Sequence, residues 1–439
     1  MSEVDLTDDE CSKLSKYATL FVGFSGGLDS TVLLHHLAHV EGLNNKVLAV
    51  HVHHGLSVHA SSWQSHCLTF CDALNIPLIT RQVDINVLAN VEEQARIARF
   101  EVFRSLMTKD DGIALAHHQD DQAETLLLQL FRGAGIDGLA AMAPVTSLPM
   151  GELVRPFLKH TRAELLAYAL RHQLAWIDDE SNWNEEFSRN FLRHQVMPML
   201  RQKWPSITRN LARTASHCQQ AKENLLSLAN LDYPFQNGAS QPSLDLASLQ
   251  KLCPSRLVNV LRAWIKKNEA QSPSSQLLTQ IIEEVIFARQ DATPSVQWAG
   301  VMVRRYQQTL ILLRQFGPFQ HTPVHWTTFP DPLNISLGAK GLCQLTATPA
   351  DFGVRVPVGA SVQVRFRQGG EVFVWHGQKK RLKKLWQQWQ VPPWERDEIP
   401  LLYIDEALAA VIGFAMSSPY AGNHGENIYH IQILKRSDL

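Results

Sequence analysis

Residues 25–30 read Ser25-Gly26-Gly27-Leu28-Asp29-Ser30 and stand between a β-rich run, Ala18–Phe24, and an apolar helical pattern, Thr31–Val40. A strand that turns straight into a helix leaves the first N–H groups of that helix free, and together with the helix dipole they favour an anion. Two glycines let the backbone come close to a phosphate, and two serines add hydroxyl donors. No lysine follows at Walker A spacing, and the hexapeptide is not a G-x-G-x-x-G turn. Asp29 is out of place in an anion nest unless a divalent cation, Mg2+ for a phosphate ligand, stands between its carboxylate and the phosphates. Nucleotide phosphate binding is therefore expected here, with Asp29 as the metal contact, against the plainer reading of a glycine turn with an Asp cap.

Other residues could join that chemistry. His117 to Thr125 ends an apolar run and opens a helix whose first turn holds Asp120 and Asp121, where acids suit the dipole. Glu124 lies three residues after Asp121 on a face that soon turns apolar. His117 could contact a nucleotide or carry a proton, and a structural histidine is nearly as good a reading. His51, His53, His54 and His59 gather at and after the end of a strand; no cysteine or carboxylate joins them at zinc spacing, so a loop near the nucleotide is expected rather than a metal site. Arg96 and Arg99 lie three apart, and Arg189 and Arg193 four apart, so each pair shares a helix face.

The elements that must position these residues follow from the apolar pattern. Strands are expected at Ala18–Phe24, Lys46–His54, Pro77–Asp84 and Gly112–His118. Helices alternate with them at Thr31–Val40, Ser61–Leu74, about Val91–Met107 and about Asp120–Arg132. Repeated β–α units predict a parallel sheet covered on both faces, a doubly wound α/β domain. Thr161-Arg162-Ala163-Glu164 is a capping-box sequence, and residues 187–230 read as helices broken at Pro198 and Pro205. A linker at Asp232–Gln241, helices over Leu244–Gln290 interrupted at Ser272–Ser275, a strand pair over Val296–Arg314, a second linker at His321–Leu333 and an α+β remainder complete the pattern. Domains are expected at 1–230, 240–320 and 335–439.

Ser25–Ser30 resembles the SGGxDS loop of the PP-loop, or N-type, ATP pyrophosphatases. Further segments narrow the resemblance to the bacterial tRNA(Ile)-lysidine synthetase family: His51-Val52-His53-His54-Gly55-Leu56, Gln94 to Phe100, His117 to Thr125, Arg155-Pro156-Phe157, Asp178 to Asn182, Arg189-Asn190 and Arg381-Leu382-Lys383-Lys384-Leu385 with Val391 to Arg396. The resemblance implies an adenine nucleotide alpha hydrolase-like sheet, ATP and Mg2+. It also implies lysine ligation to C2 of the wobble cytidine of a CAU-anticodon isoleucine tRNA, through an adenylated base. It makes Glu124 a candidate partner or base for the lysine amine. Arg96 becomes a candidate contact to the activated intermediate or to the base, and Asp29 and Arg189 catalytic residues. Ser25 to Ser30, His51 and His117 would bind ATP.

The charge pattern bears on the partner. The 439 residues carry 41 Lys+Arg and 42 Asp+Glu, a formal net charge of −1. That sum hides a stretch, 189–213, with six bases and no acid, and another, Arg355–Arg396, with nine bases and two acids. Arg193, Arg201 and Lys203 in the first, and Lys379, Lys380, Arg381, Lys383, Lys384 and Arg396 in the second, are expected to face tRNA, with the tryptophans among the latter mostly in a core. Six cysteines without a C-x-x-C pair, an acidic start and a longest apolar run of ten residues fit a reduced, cytoplasmic, membrane-free chain. Free L-lysine is the expected second substrate, and a homodimer is left open. Two other readings are carried: a tRNA sulphurtransferase on the same scaffold, disfavoured by the absence of paired thiols, and a nucleotide-gated tRNA binder without chemistry.

Overall fold

The computed structural model describes residues 4–53, 60–83, 91–235, 242–268, 270–289, 292, 294–314, 322–337, 342–423 and 427–435. His54, His59, the strand end at Asp84 and the linker residues 236–241 and 321 lie outside them. The chain divides into two compact units, Met1–Ser227 and Leu228–Leu439.

The first unit opens with α1 (Asp8–Ser15), started by a capping box between Thr7 and Glu10. There follow β1 (Leu20–Gly23), α2 (Leu28–His39), β2 (Val47–His53), α3 (Ala60–Ala73), β3 (Leu78–Gln82), α4 (Val91–Leu106), β4 (Gly112–Ala114), α5 (Gln119–Phe131) and α6 (Ile136–Leu139). β5 (Val145–Ser147), β6 (Glu152–Val154) and α7 (Arg162–Arg171) complete the sheet region. The strand order is β3-β2-β1-β4-β6-β5, with β5 antiparallel at the edge and the other neighbours parallel. β1 and β4 are buried throughout or nearly so, as strands covered on both faces must be. The fourth strand is shorter than expected: only Gly112–Ala114 pair, and residues up to His118 leave the sheet as a loop.

The order 3-2-1-4 places the reversal of the sheet between β1 and β4. Ligand crevices in such sheets open at the carboxyl ends of the strands flanking that point, where the chain leaves β1 for residues 25–30 and β4 for residues 115–118. Thr161 caps α7 with the expected box. Beyond it, α8 (Ser188–Phe191) runs on through Leu192–Val196 into α9 (Met197–Lys203). Pro198 does not break this helix, because it follows the wider π turn Leu192–Val196, in which the Met197 N–H reaches back to the Leu192 carbonyl. Pro205 does end it, and α10 (Ile207–Asp232) follows.

In the second unit, β7 (Ser243–Asp245), α11 (Leu246–Leu249), α12 (Pro254–Lys267) and α13 (Ser275–Gln280, continuing through Ile281–Ile286) precede β8 (Ser295–Trp298), β9 (Val301–Tyr306) and β10 (Thr309–Arg314). These strands form an antiparallel sheet, β7-β10-β9-β8, packed on the helices around Leu261, Trp264, Ile281 and Val303. The expected strand pair is thus part of a four-stranded sheet. The rest is β-rich: β11 (Val324–His325), β12 (Leu333–Ser336), β13 (Leu342–Arg355), β14 (Val362–Arg365), β15 (Val372–Trp375), β16 (Gln378–Arg381), α14 (Leu382–Gln388), β17 (Leu401–Ile404), β18 (Ala407–Val411), β19 (Ala415–Met416), β20 (Ala421–Asn423) and β21 (Ile428–Lys435). The second linker proposed from sequence carries β11 and reaches β12. Among the described residues no helix is long and apolar enough to cross a membrane.

Candidate active site

The loop after β1 is built by its own short side chains. The Phe24 N–H donates to the Val50 carbonyl at 2.9 Å, holding the chain to the sheet until the turn begins. Gly26 then takes φ +82°, and a Cβ there would stand 2.7 Å from Ile177 Cδ1 and 3.0 Å from Cys67 Sγ. Only glycine satisfies both the backbone and the space. The Ser25 N–H donates to Ser30 Oγ at 3.3 Å, Ser30 Oγ donates to the Gly27 carbonyl at 3.0 Å, and the two serine hydroxyls are 3.1 Å apart. Gly27 starts α2 without a side-chain cap, and Leu28 packs into the core. Asp29 lies in the first turn; its Oδ1 is buried without a hydrogen-bond partner.

Facing this loop is the start of α5. His118, 1% exposed, is its N-cap residue, and its N–H donates to Asp121 Oδ2 at 3.0 Å. The His118 ring lies among three carboxylates: Nε2 is 3.6 Å from Asp29 Oδ2 and 3.4 Å from Asp121 Oδ2, and Nδ1 is 3.7 Å from Asp120 Oδ2. Burial works against the imidazolium, but Asp121, Asp29 and Asp120 outweigh it, so His118 is raised above its ordinary value. His117 is the opposite case: burial pulls it down to about 4, a neutral ring at neutral pH.

Asp121 and Glu124, three apart on α5, meet Arg189 and Arg193, four apart on α8 and its continuation. Arg189 donates from Nε to Glu124 Oε2 at 2.9 Å and from Nη2 to Asp121 Oδ1 at 3.1 Å. Arg193 donates from Nε to Glu124 Oε1 at 2.8 Å, and from Nη2 to Glu124 Oε2 at 2.9 Å and Asp121 Oδ1 at 3.2 Å. Glu124 is 2% exposed, a burial a carboxylate tolerates only when paired in this way. Desolvation opposes the Asp121 charge, but His118, Arg189 and His117 hold it down to about 2. Both guanidiniums are raised despite their burial, by the same two acids. The bonds use Nε and Nη2 of each arginine and, among the described residues, leave Nη1 of both for another acceptor.

The remaining expected residues divide. His51 is buried, with Nδ1 3.0 Å from the Phe24 carbonyl and 3.5 Å from Cys67 Sγ, so it braces the strand just before the loop. Arg96 is exposed on α4, donates to Glu93 at 2.9 and 2.6 Å, and lies over the Phe100 ring. Arg201, placed by its sequence on an RNA-facing strip, pairs with Asp120, which also accepts the Arg162 N–H at 2.8 Å at the start of α7. Arg193, expected on the same strip, is the Glu124 ligand described above, while Lys203 is exposed. In the second unit Lys379, Arg381, Lys383 and Lys384 are exposed, and among the described residues none of them, nor Lys380, pairs with a carboxylate. Arg396 donates to the Val391 carbonyl at 2.9 Å. Trp386 is fully buried, with Trp389 packed edge-on against it.

The sequence marks Asp120 and Asp121 only as helix-start acids and His118 only as the end of the fourth strand. For Asp121 the available signal is spacing, Asp121 and Glu124 at i, i+3 matching Arg189 and Arg193 at i, i+4; His118 and Asp120 have none. Cys67 and Cys71 are buried, and burial pushes both thiols up to about 12, so neither is a thiolate at neutral pH. Among the described residues no group of three or more His, Cys, Asp or Glu is arranged to hold a metal.

Comparison with known proteins agrees with this architecture. Residues 5–200 match the PP-loop domain, 244–311 the TilS substrate binding domain and 362–433 the TilS substrate C-terminal domain. The tRNA(Ile)-lysidine synthase of Legionella pneumophila (strain Paris) is 48% identical over 94% of this chain and 95% of its own length. That of Coxiella burnetii is 35% identical over 96% and 94%, and that of Escherichia coli O157:H7 38% identical over 90% and 91%. With matches of this identity along nearly its whole length, the chain belongs to the tRNA(Ile)-lysidine synthase family.

Proposed function

We propose that the chain is an ATP-dependent ligase that joins the ε-amine of free L-lysine to C2 of the wobble cytidine of a CAU-anticodon isoleucine tRNA. The C2 oxygen attacks the α-phosphate of ATP, and pyrophosphate leaves. The lysine nitrogen then forms a bond to C2, the C2–O bond breaks, AMP departs with the oxygen, and the nitrogen loses a proton. The C2 oxygen leaves poorly until it is adenylated, and the amine attacks only when deprotonated.

The observation that carries this reading is the juxtaposition at the sheet reversal of an uncapped Ser-Gly-Gly-x-Asp-Ser helix start with a buried carboxylate–arginine cluster, one imidazole between them. Ser25 to Ser30 take the triphosphate, and His51 and His117 shape the pocket for the nucleotide. Asp29 offers Oδ1, a hard oxygen without a protein partner, which fits Mg2+, a cation held by one or two carboxylates plus substrate phosphates. When bound, that cation offsets the negative charge of the leaving pyrophosphate.

Arg189 and Arg193 neutralise Asp121 and Glu124 in the absence of substrate. An anionic adenylate bound at the two Nη1 groups draws the guanidiniums toward itself and away from Glu124, whose carboxylate is then offered to the lysine ammonium. Arg96 contacts the activated base from α4. Residues 1–230 supply this chemistry, while 240–320 and 335–439 hold the tRNA, with Lys203, Lys379, Lys380, Arg381, Lys383, Lys384 and Arg396 as phosphate contacts. Arg193 and Arg201 are spent on carboxylates, so their part in RNA binding is to fix the helix that carries Lys203.

The test is product release. Pyrophosphate is expected from ATP only when the CAU-anticodon isoleucine tRNA is added, and AMP only when lysine is added as well. AMP release that needs a sulphur donor instead of lysine would overturn the assignment.

A further inference from the structure

Trp183 is 70% exposed, the face of its indole stacked on His194 with ring centroids 4.8 Å apart and planes 19° off parallel. An open indole face held in one orientation has the form of a stacking platform for a nucleic-acid base. Its turn is fastened to the helix that bears the catalytic arginines. Asn190 Nδ2 donates to the Asn184 carbonyl at 2.9 Å, the Glu186 N–H donates to Asn184 Oδ1 at 3.0 Å, and Gln195 Nε2 donates to Glu185 Oε1 at 2.7 Å. Asn190 and His194, at i and i+4, each lie one residue beyond Arg189 and Arg193, which grip Glu124. The indole is therefore fixed beside the cluster, not remote from it.

The surrounding charge selects the occupant. Residues 189–213 hold six bases and no acid. Arg189, Arg193 and Arg201 are tied to carboxylates of α5, but Lys203, Arg209 and Arg213 make no ion pair among the described residues. The helix that carries His194 runs on to the exposed Lys203, and an exposed ring on a basic stretch of chain suits single-stranded RNA, whose bases stack on aromatic faces while its phosphates meet cations. A base presented for chemistry must leave its stack, and so its neighbours lose a stacking partner.

We propose that Trp183, backed by His194, is a stacking platform for an anticodon-loop nucleobase, placed so that the wobble cytidine is held at the Glu124–Arg189–Arg193 cluster. The inference rests on the ligase reading above. His194 fixes the indole before RNA arrives, which lowers the ordering cost of binding.

The test uses the full chain with Trp183→Ala, Trp183→Leu and Trp183→Phe, at saturating ATP and lysine. Trp183→Ala and Trp183→Leu are expected to raise KM for the tRNA roughly 5- to 100-fold, the loss of one base–aromatic stack. KM for ATP and for lysine and the thermal midpoint should stay unchanged, and Trp183→Phe should recover most of the tRNA affinity. An unchanged tRNA KM in Trp183→Ala, or Trp183→Leu performing as well as Trp183→Phe, overturns the platform. Conversion of a wild-type dimer to a monomer by Trp183→Ala in sedimentation, with tRNA KM unchanged, would make this face a contact between copies of the chain. A wild-type chain inactive on the tRNA would overturn the ligase reading itself, an outcome distinct from these.

Discussion

His118 Nε2 stands 3.6 Å from Asp29 Oδ2, so a single buried imidazole joins the nucleotide loop at the end of β1 to the carboxylate–arginine cluster on α5. The other oxygen of Asp29 is left without a partner. Asp29→Ala is therefore expected to lower AMP formation by about 100-fold or more, the scale seen when a group that stabilises developing charge is removed. Binding of tRNA, measured by filter retention, should be nearly unchanged, because the expected RNA contacts lie elsewhere.

Arg189 and Arg193 share Glu124, a carboxylate almost without solvent. Removing both, in Arg189→Ala/Arg193→Ala, strands that charge and should cost about 3–5 kcal/mol in urea unfolding. Adding Glu124→Gln to the pair should return part of that loss without returning activity, since the amide needs no cation. Stability that stays low in the triple variant would show that the arginines support the fold by packing alone.

A histidine group on the far side of α2 sets an acid limit. His35 Nδ1 is 3.0 Å from the Tyr168 hydroxyl, and its ring lies 4.3 Å from His39 and 5.0 Å from His172. Burial first, then these neighbouring histidines, pull His35 down to about 4. Its folded value lies below the unfolded 6.5, so the folded state binds fewer protons. The contribution is whole above pH 6.5 and is lost as pH falls toward 4. The thermal midpoint is expected to drop between pH 7 and pH 5, and His35→Gln should flatten that slope. His118, raised instead, has the opposite sign: its contribution is present below 6.5 and fades as pH rises through its folded value.

The basic run of the second unit differs in kind from that of the first. Lys383 and Lys384 are exposed on α14 opposite the buried Leu385 and Trp386. Lys383→Ala/Lys384→Ala should weaken tRNA binding and reduce the slope of log K against log salt by about 1–2. A slope equal to that of the wild type would remove α14 from the RNA contact surface.

Much of this was legible because one period dominates each element. The α/β alternation, the strand–loop–helix around Asp29 and the Thr161 capping box all follow from local pattern, and each strand register was then fixed by burial. The start of α1 was equally available, since Thr7 and Glu10 form a capping box three residues apart, yet the acids there read first as charge alone. The arginines at 193 and 201 show the limit of that approach. Six bases without an acid look like a surface for RNA when the chain is read linearly. The acids that claim three of them, Asp120, Asp121 and Glu124, come from a helix some 70 residues earlier, and such pairing exists only after the fold has formed. His118 was hidden for the same reason, its partners being split between the first turns of α2 and α5.

The chain puts lysine on the wobble cytidine of its tRNA, and the product itself is the direct readout. Incubation with the CAU-anticodon isoleucine tRNA, isotopically labelled lysine, ATP and Mg2+, followed by nuclease digestion and mass analysis, should yield one labelled nucleoside. It should derive from the wobble position, in proportion to the AMP formed, and Asp29→Ala should yield about 100-fold less or lower still. An unmodified cytidine despite AMP release, or label bound to any other nucleotide, would contradict the account.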